Sequence, residues 1–198
     1  MTMPTLYYVP KTRATRARWV LEELGLPHRL VRLDAAAGET KTEAHARRHP
    51  LQHVPVLETS DGALFESCAI CLQLAAGSEL LPPDGSRGRG LVYQWVFFGV
   101  TELEGLLGRL SAERKKQPRD EARAARLEAK LQRPLAALDA ALRGRDWLVG
   151  GRFTVADVVC GALLVWADRL ELLARLPAAQ AFVRRVEARE AYRRATAD

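Results

Sequence analysis

The stretch His49-Pro50-Leu51-Gln52-His53-Val54-Pro55-Val56-Leu57-Glu58-Thr59-Ser60-Asp61-Gly62-Ala63-Leu64-Phe65-Glu66-Ser67 decides how this chain is read. Val54 to Glu58 is a strand-like run that opens on a proline, and strands tolerate proline at their start. Thr59-Ser60-Asp61-Gly62 is a hairpin turn, because Asp-Gly supplies the backbone freedom such turns need. Ala63-Leu64-Phe65 then returns antiparallel, and Glu66-Ser67 opens a helix running to about Ala75.

Upstream, Thr5-Leu6-Tyr7-Tyr8-Val9 is a short β-prone run closed by Pro10. Ala17, Val20, Leu21 and Leu24 follow at helical spacing. Gly25 caps that helix and Pro27 stops it. Arg29-Leu30-Val31-Arg32-Leu33 reads as a second strand, which completes a βαβ unit with a right-handed crossover. Residues 35–49 are polar and Ala-rich, with at most a short helix. The order over residues 1–76 is β-α-β-α-β-β-α.

Downstream, residues 77–90 form a linker rich in Gly, Ser and Pro. Residues 91–198 read as helical throughout. The pattern predicts helices over 91–114, 119–142, 154–173 and 177–195. Pro134 lies inside the second and is expected to kink or break it. Thr154-Val155-Ala156-Asp157 is a capping box, with Phe153 before it as a hydrophobic staple.

The composition excludes several classes. The chain has 198 residues, 48% hydrophobic and 27% charged, as in an ordinary globular protein. No apolar run approaches the ~20 residues that span a bilayer. The start Met1-Thr2-Met3-Pro4-Thr5 lacks the blocks of a signal peptide, so a cytoplasmic location is expected. Three cysteines, Cys68, Cys71 and Cys160, do not make a disulfide scaffold. Cys68-Ala69-Ile70-Cys71 reads as two small buried hydrophobes, and a zinc site would need more ligands. No metal is expected. The net charge of +6 raises nucleic acid as a partner. The excess sits in residues 77–198, which carry net +5 interleaved with acids, against net +1 for residues 1–76. That pattern is a solvated helix surface, and neither nucleic acid nor membrane is expected as a partner.

Four segments resemble the glutathione transferase family. Leu6-Tyr7-Tyr8-Val9-Pro10-Lys11-Thr12-Arg13-Ala14-Thr15-Arg16 looks like its first strand and catalytic loop. His49 to Leu57 resembles Asn-Pro-x-Gly-Lys-Val-Pro-x-Leu, and Asp61 to Ile70 resembles Asp-Gly-x-x-Leu-x-Glu-Ser-x-Ala-Ile. Trp147-Leu148-Val149-Gly150-Gly151-Arg152-Phe153-Thr154-Val155-Ala156-Asp157 resembles Trp-Leu-x-Gly-x-x-Phe-Ser/Thr-x-Ala-Asp. The resemblance implies an α/β thioredoxin-like N-terminal domain followed by an all-α helical bundle domain. It also implies a homodimer that joins glutathione, as co-substrate, to a small apolar electrophile.

The resemblance assigns roles by position. Val54-Pro55 is expected to be a cis peptide that aims the Val54 backbone at an extended tripeptide, as in strand addition. Ser67 and the first-turn N–H groups of its helix suit a carboxylate, and Glu66 suits an ammonium. The γ-glutamyl end of glutathione carries both groups on one carbon. Lys41, Gln52 and His53 are the candidates for the glycyl carboxylate. A hydroxyl held against sulfur favours thiolate. Thr12 is the first candidate for it and Tyr7 the second, with Arg13 as electrostatic helper. The competing reading leaves Thr12 as a helix cap. Tyr93, Trp95, Phe97, Phe98, Thr101 and Trp166 are candidates for the second-substrate pocket, against the alternative that they are core; Tyr93, Phe97 and Trp166 lead. Two other functions fit the same scaffold: a glutathione-dependent disulfide reductase or peroxidase, and a non-catalytic binding or interaction protein.

Overall fold

The computed structural model describes residues 3–198. Four strands, β1 (Thr5–Tyr8), β2 (Arg29–Arg32), β3 (Val56–Thr59) and β4 (Gly62–Phe65), form one mixed sheet in the order β2-β1-β3-β4. β2 lies parallel to β1 in the register Leu6↔Leu30, as a βαβ crossover requires. β3 lies antiparallel to β1 and β4 to β3, with Leu6 opposite Leu57 and Leu57 opposite Leu64. Between the strands run α1 (Ala14–Glu23) and the short α2 (Glu43–Ala46), which follows a 3-10 turn over Glu39–Lys41; α3 (Ser67–Leu74) comes last. The module is therefore βαβαββα, thioredoxin-like, as the sequence predicts.

Its core follows from the two periodicities. Leu6 and Tyr8 alternate inward along β1, and Ala14, Ala17 and Leu21 share one face of α1. These side chains meet Leu57 of β3 and Ile70 of α3. Trp19 and Val20 are also fully buried.

The remaining helices are α4 (Arg87–Phe98), α5 (Gly105–Arg114), α6 (Glu121–Leu142), α7 (Val155–Arg169), α8 (Pro177–Ala188) and α9 (Glu190–Ala195). Three details differ from the periodicity reading. The helix expected over 91–114 is two helices joined by a π-helical segment, Gly99–Glu104. Gly99 sits so close to α7 that a Cβ there would lie 3.0 Å from Leu163 Cδ1. Pro134 does not end α6, which runs unbroken through it. Leu131, Leu135 and Leu138 are buried on both sides of the proline. Burial of such side chains, at about 1.5–3 kcal/mol each, outweighs one missing helical hydrogen bond. The helix expected over 177–195 breaks at Arg189, whose backbone is extended (φ −69°, ψ 129°).

The chain divides into two compact units. One reaches Leu81 and takes in Ala188–Asp198; the other is Pro82–Glu187. The C-terminal residues, grouped by the sequence with the helical domain, thus belong to the thioredoxin-like unit. The cause is a set of charged and aromatic contacts onto α1. Arg189 grips Glu23 with two bonds of 2.6 and 2.7 Å, and Arg194 reaches Glu22 at 2.7 Å. Tyr192 packs edge-on against Trp19 with ring centroids 4.8 Å apart. Asp198 takes the Tyr8 hydroxyl and the Arg18 guanidinium. The second unit is all helical, and its core contains the leucine stripe of α6 and the apolar α7. Among the described residues, no helix is long and apolar enough to cross a membrane.

Candidate functional site

The loop before β3 is built by histidines. His45 of α2 is buried, and its Nε2 lies 2.9 Å from the carbonyl of His53. His49 is buried too, and its Nδ1 accepts the Leu51 N–H at 3.1 Å. Burial first, then neighbouring His53, holds the His49 imidazole below its ordinary pKa, which favours its neutral form. Gln52 follows in the left-handed region (φ 55°), with its N–H on the His49 carbonyl. This geometry presents Gln52 half-buried and His53 exposed, just before the Val54–Pro55 bond. That bond is cis, as expected. Lys41 stands exposed in the 3-10 turn ahead of α2.

β4 leads directly into α3. Glu66 occupies the N-cap position with φ 71° and ψ 113°, and makes no side-chain cap bond. Its side chain is exposed, and its charge favours protonation of His49. Ser67, the first helical residue, is buried. Its Oγ accepts a bond from Arg16 Nη1 at 3.4 Å. The first-turn N–H groups of α3 lack helical partners, and the helix dipole makes that end attractive to an anion. The structure therefore brings Glu66, Ser67, the cis Val54–Pro55 step and the Gln52–His53 loop into one unit.

Arg16 is the residue sequence reasoning missed. In the sequence it stands only at the end of the segment that resembles the family's catalytic loop, yet its relative exposure is 4%. A signal was present: Arg16 stands four residues before the buried Val20, which puts it on an inward face of α1.

The two hydroxyl candidates have different environments. Thr12 is exposed; its hydroxyl donates to the Val9 carbonyl at 2.6 Å and accepts from the Ala14 N–H at 3.3 Å. It closes the loop at the start of α1, where Arg13 is the exposed N-cap residue. Tyr7 donates its hydroxyl to Glu58 Oε2 at 2.8 Å, under the guanidinium of Arg48, 4.3 Å from the ring centre. Burial, then the Glu58 bond, raises the Tyr7 pKa, which opposes ionisation. Cys71 is fully buried, and burial pushes its thiol up, away from thiolate. Among the described residues, no group of three or more His, Cys, Asp or Glu is placed to hold a metal ion.

In the second unit the aromatic candidates separate. Tyr93 and Phe97 stand one turn apart on α4, 36% and 59% exposed. Trp95 instead meets Phe98 edge-on at 5.4 Å. Thr101 hydrogen-bonds the Phe97 carbonyl. Trp166 is half-buried on α7, with its ring against Gly108.

Comparison with known proteins fits this geometry. Residues 1–76 match the glutathione S-transferase N-terminal domain, and residues 94–190 match the C-terminal domain of the same family. The chain is 29% identical over 198 residues to the disulfide-bond oxidoreductase YfcG of Escherichia coli (strain K12), covering 96% of this chain and 92% of that one. A glutathione S-transferase from Pseudomonas fluorescens superposes with a TM-score of 0.83 at 30% identity, over 96% of this chain and 97% of that one. A second family member from that species, solved with two glutathione molecules bound, gives 0.87 at 26% identity, over 98% and 92%. The chain belongs to the glutathione S-transferase family.

Proposed function

We propose that the protein binds glutathione on its thioredoxin-like unit and activates the thiol for attack on a small apolar electrophile. The observation that carries this reading is the start of α3, where Glu66 and Ser67 offer an acceptor and a donor with no side-chain cap across the helix end. The γ-glutamyl carboxylate takes the first-turn N–H groups and the Ser67 hydroxyl, and its ammonium takes Glu66. The cysteinyl backbone pairs with Val54, and the glycyl carboxylate takes Lys41, Gln52 or His53. The sulfur lies at the start of α1, beside Thr12 and Arg13. Thr12 turns its O–H from the Val9 carbonyl to the sulfur, which favours thiolate. The thiolate forms the carbon–sulfur bond as the leaving group departs with its electron pair. The apolar electrophile draws on Tyr93, Phe97 and Trp166 in the second unit. The working form is a homodimer in the cytoplasm, which sedimentation of the purified chain and cell fractionation test.

The decisive experiment is isothermal titration with glutathione; no binding at millimolar ligand sinks the reading. A rate assay with an aryl halide then tests conjugation. Thr12→Ala is expected to lower that rate about tenfold or more, and Tyr7→Phe to leave it within twofold.

A second reading is favoured by the name of the Escherichia coli relative. Here the glutathione thiolate attacks a disulfide and expels one thiolate, leaving a mixed disulfide. A second glutathione thiolate then attacks the glutathione sulfur of the mixed disulfide, forming glutathione disulfide and expelling the other half of the substrate as its thiolate. Hydroxyethyl disulfide, offered in place of the aryl halide, separates the two.

A further inference from the structure

We propose that Arg16 is a positioning residue for glutathione: its guanidinium holds the Ser67 hydroxyl as an outward donor and sets a buried positive charge behind the γ-glutamyl carboxylate. This rests on the glutathione reading above. A guanidinium has donors and no acceptor, so the direction of the 3.4 Å contact with Ser67 Oγ is fixed. Arg16 donates and Ser67 accepts. A hydroxyl carries one hydrogen and two lone pairs. With a lone pair turned to Arg16, the Ser67 hydrogen is left for an acceptor on another side.

The charge adds to the bond. Arg16 and Ser67 are each only 4% exposed. An arginine stays protonated at any working pH. Its field is screened far less there than that of the exposed Lys41 or Arg13. The same field reaches into α3, where it favours ionisation of the Cys71 thiol against the larger effect of burial. The bond to Ser67 sets this cation at the first turn of α3.

The test uses the purified full-length chain, titrated with glutathione and with γ-aminobutyryl-cysteinyl-glycine, which lacks only the α-carboxylate. The wild-type chain should prefer glutathione about tenfold or more, in line with a charge-assisted contact. Arg16→Gln should weaken glutathione about tenfold and leave the analogue within twofold. Arg16→Lys keeps the charge but loses the planar fork, and should weaken glutathione about threefold with the analogue again unchanged. Equal weakening of both ligands, or none, overturns the assignment, since a purely structural arginine would not distinguish them. If Arg16→Gln fails to fold by thermal unfolding, Arg16→Lys with the same two ligands decides by the same criterion. A wild-type chain that binds neither ligand removes the glutathione reading and this inference together. A wild-type chain that binds, with variants that do not discriminate, removes the inference alone.

Discussion

Helices α3 and α7 both begin beside a carboxylate and a short hydroxyl side chain, and they use them in opposite ways. At the start of α7, Asp157 folds back on its own helix end. Its carboxylate takes the Thr154 N–H at 2.8 Å, the Thr154 hydroxyl at 2.9 Å and the Leu148 N–H at 2.8 Å. The capping box expected from the sequence is complete, and Thr154 and Asp157 are fully buried. At the start of α3, Glu66 is exposed and turned out by its positive φ, and no side chain caps the helix. Ser67 is held from behind by Arg16. The same residue types thus close one helix internally and leave the other without a side-chain cap, open to the proposed glutathione carboxylate. Burial of the carboxylate makes the difference.

The strongest way to break this comparison is Asp157→Ala. Three donors lose a buried acceptor at once, and each unsatisfied group costs about 1–3 kcal/mol. A loss of about 3–5 kcal/mol in urea unfolding is expected, with glutathione affinity unchanged in the folded fraction. A loss under about 1 kcal/mol would show that this end of α7 is not closed by Asp157. A pH series sharpens the point. Burial pushes the Asp157 carboxyl up to about 6, against the pull of its donors. The folded state then holds a proton that the unfolded chain has released, so this group's contribution is full below about pH 4 and is lost as pH rises through 6. Asp157→Asn should remove that downward slope between pH 4 and 6. An unchanged slope would assign it to other groups.

Next in size are Glu66→Gln and Ser67→Ala, which address the open end. Each should weaken glutathione about tenfold, the worth of one charge-assisted contact. Thermal unfolding should move by no more than about 2 °C for Glu66→Gln, whose side chain does not cap the helix. Ser67→Ala also takes an acceptor from the buried Arg16 and is expected to cost about 1–3 kcal/mol. A Ser67→Ala chain that is strongly destabilised yet binds glutathione normally would make the two helix starts alike.

How far these ends were legible in the sequence follows from the range of the forces. The capping box and the hairpin turn are set by residues within three or four positions of each other, so their spacing declares them. The cis Val54–Pro55 bond came through the family resemblance, which no local propensity supplies, and the roles proposed for Glu66 and Ser67 rest on the same resemblance. Arg16 was missed because its partner Ser67 lies 51 residues away. The seating of α9 on α1 was missed for the same reason, since Arg189 and Glu23 are 166 residues apart. Within the π segment Gly99 lies close against Leu163 of α7, a contact that a helical period does not encode. Pro134 does not break α6, because the local rule meets a buried leucine stripe that outweighs it.

The smallest expected effect isolates the hydroxyl at the closed end. Thr154→Ala removes one donor to Asp157 and one side-chain acceptor for the helix, and leaves the two backbone donors on the carboxylate in place. A helix cap of this kind is worth about 1 kcal/mol. Thr154→Ser keeps the hydroxyl and loses a buried methyl group, for which a few tenths of a kcal/mol to about 1 kcal/mol is expected. Neither should change glutathione affinity. The order Asp157→Ala, then Thr154→Ala, is the signature of a carboxylate that carries most of the closure, with the hydroxyl in support. If Thr154→Ala costs as much as Asp157→Ala, the hydroxyl is holding the carboxylate in place, and the closed end works as one unit whose members cannot be lost separately.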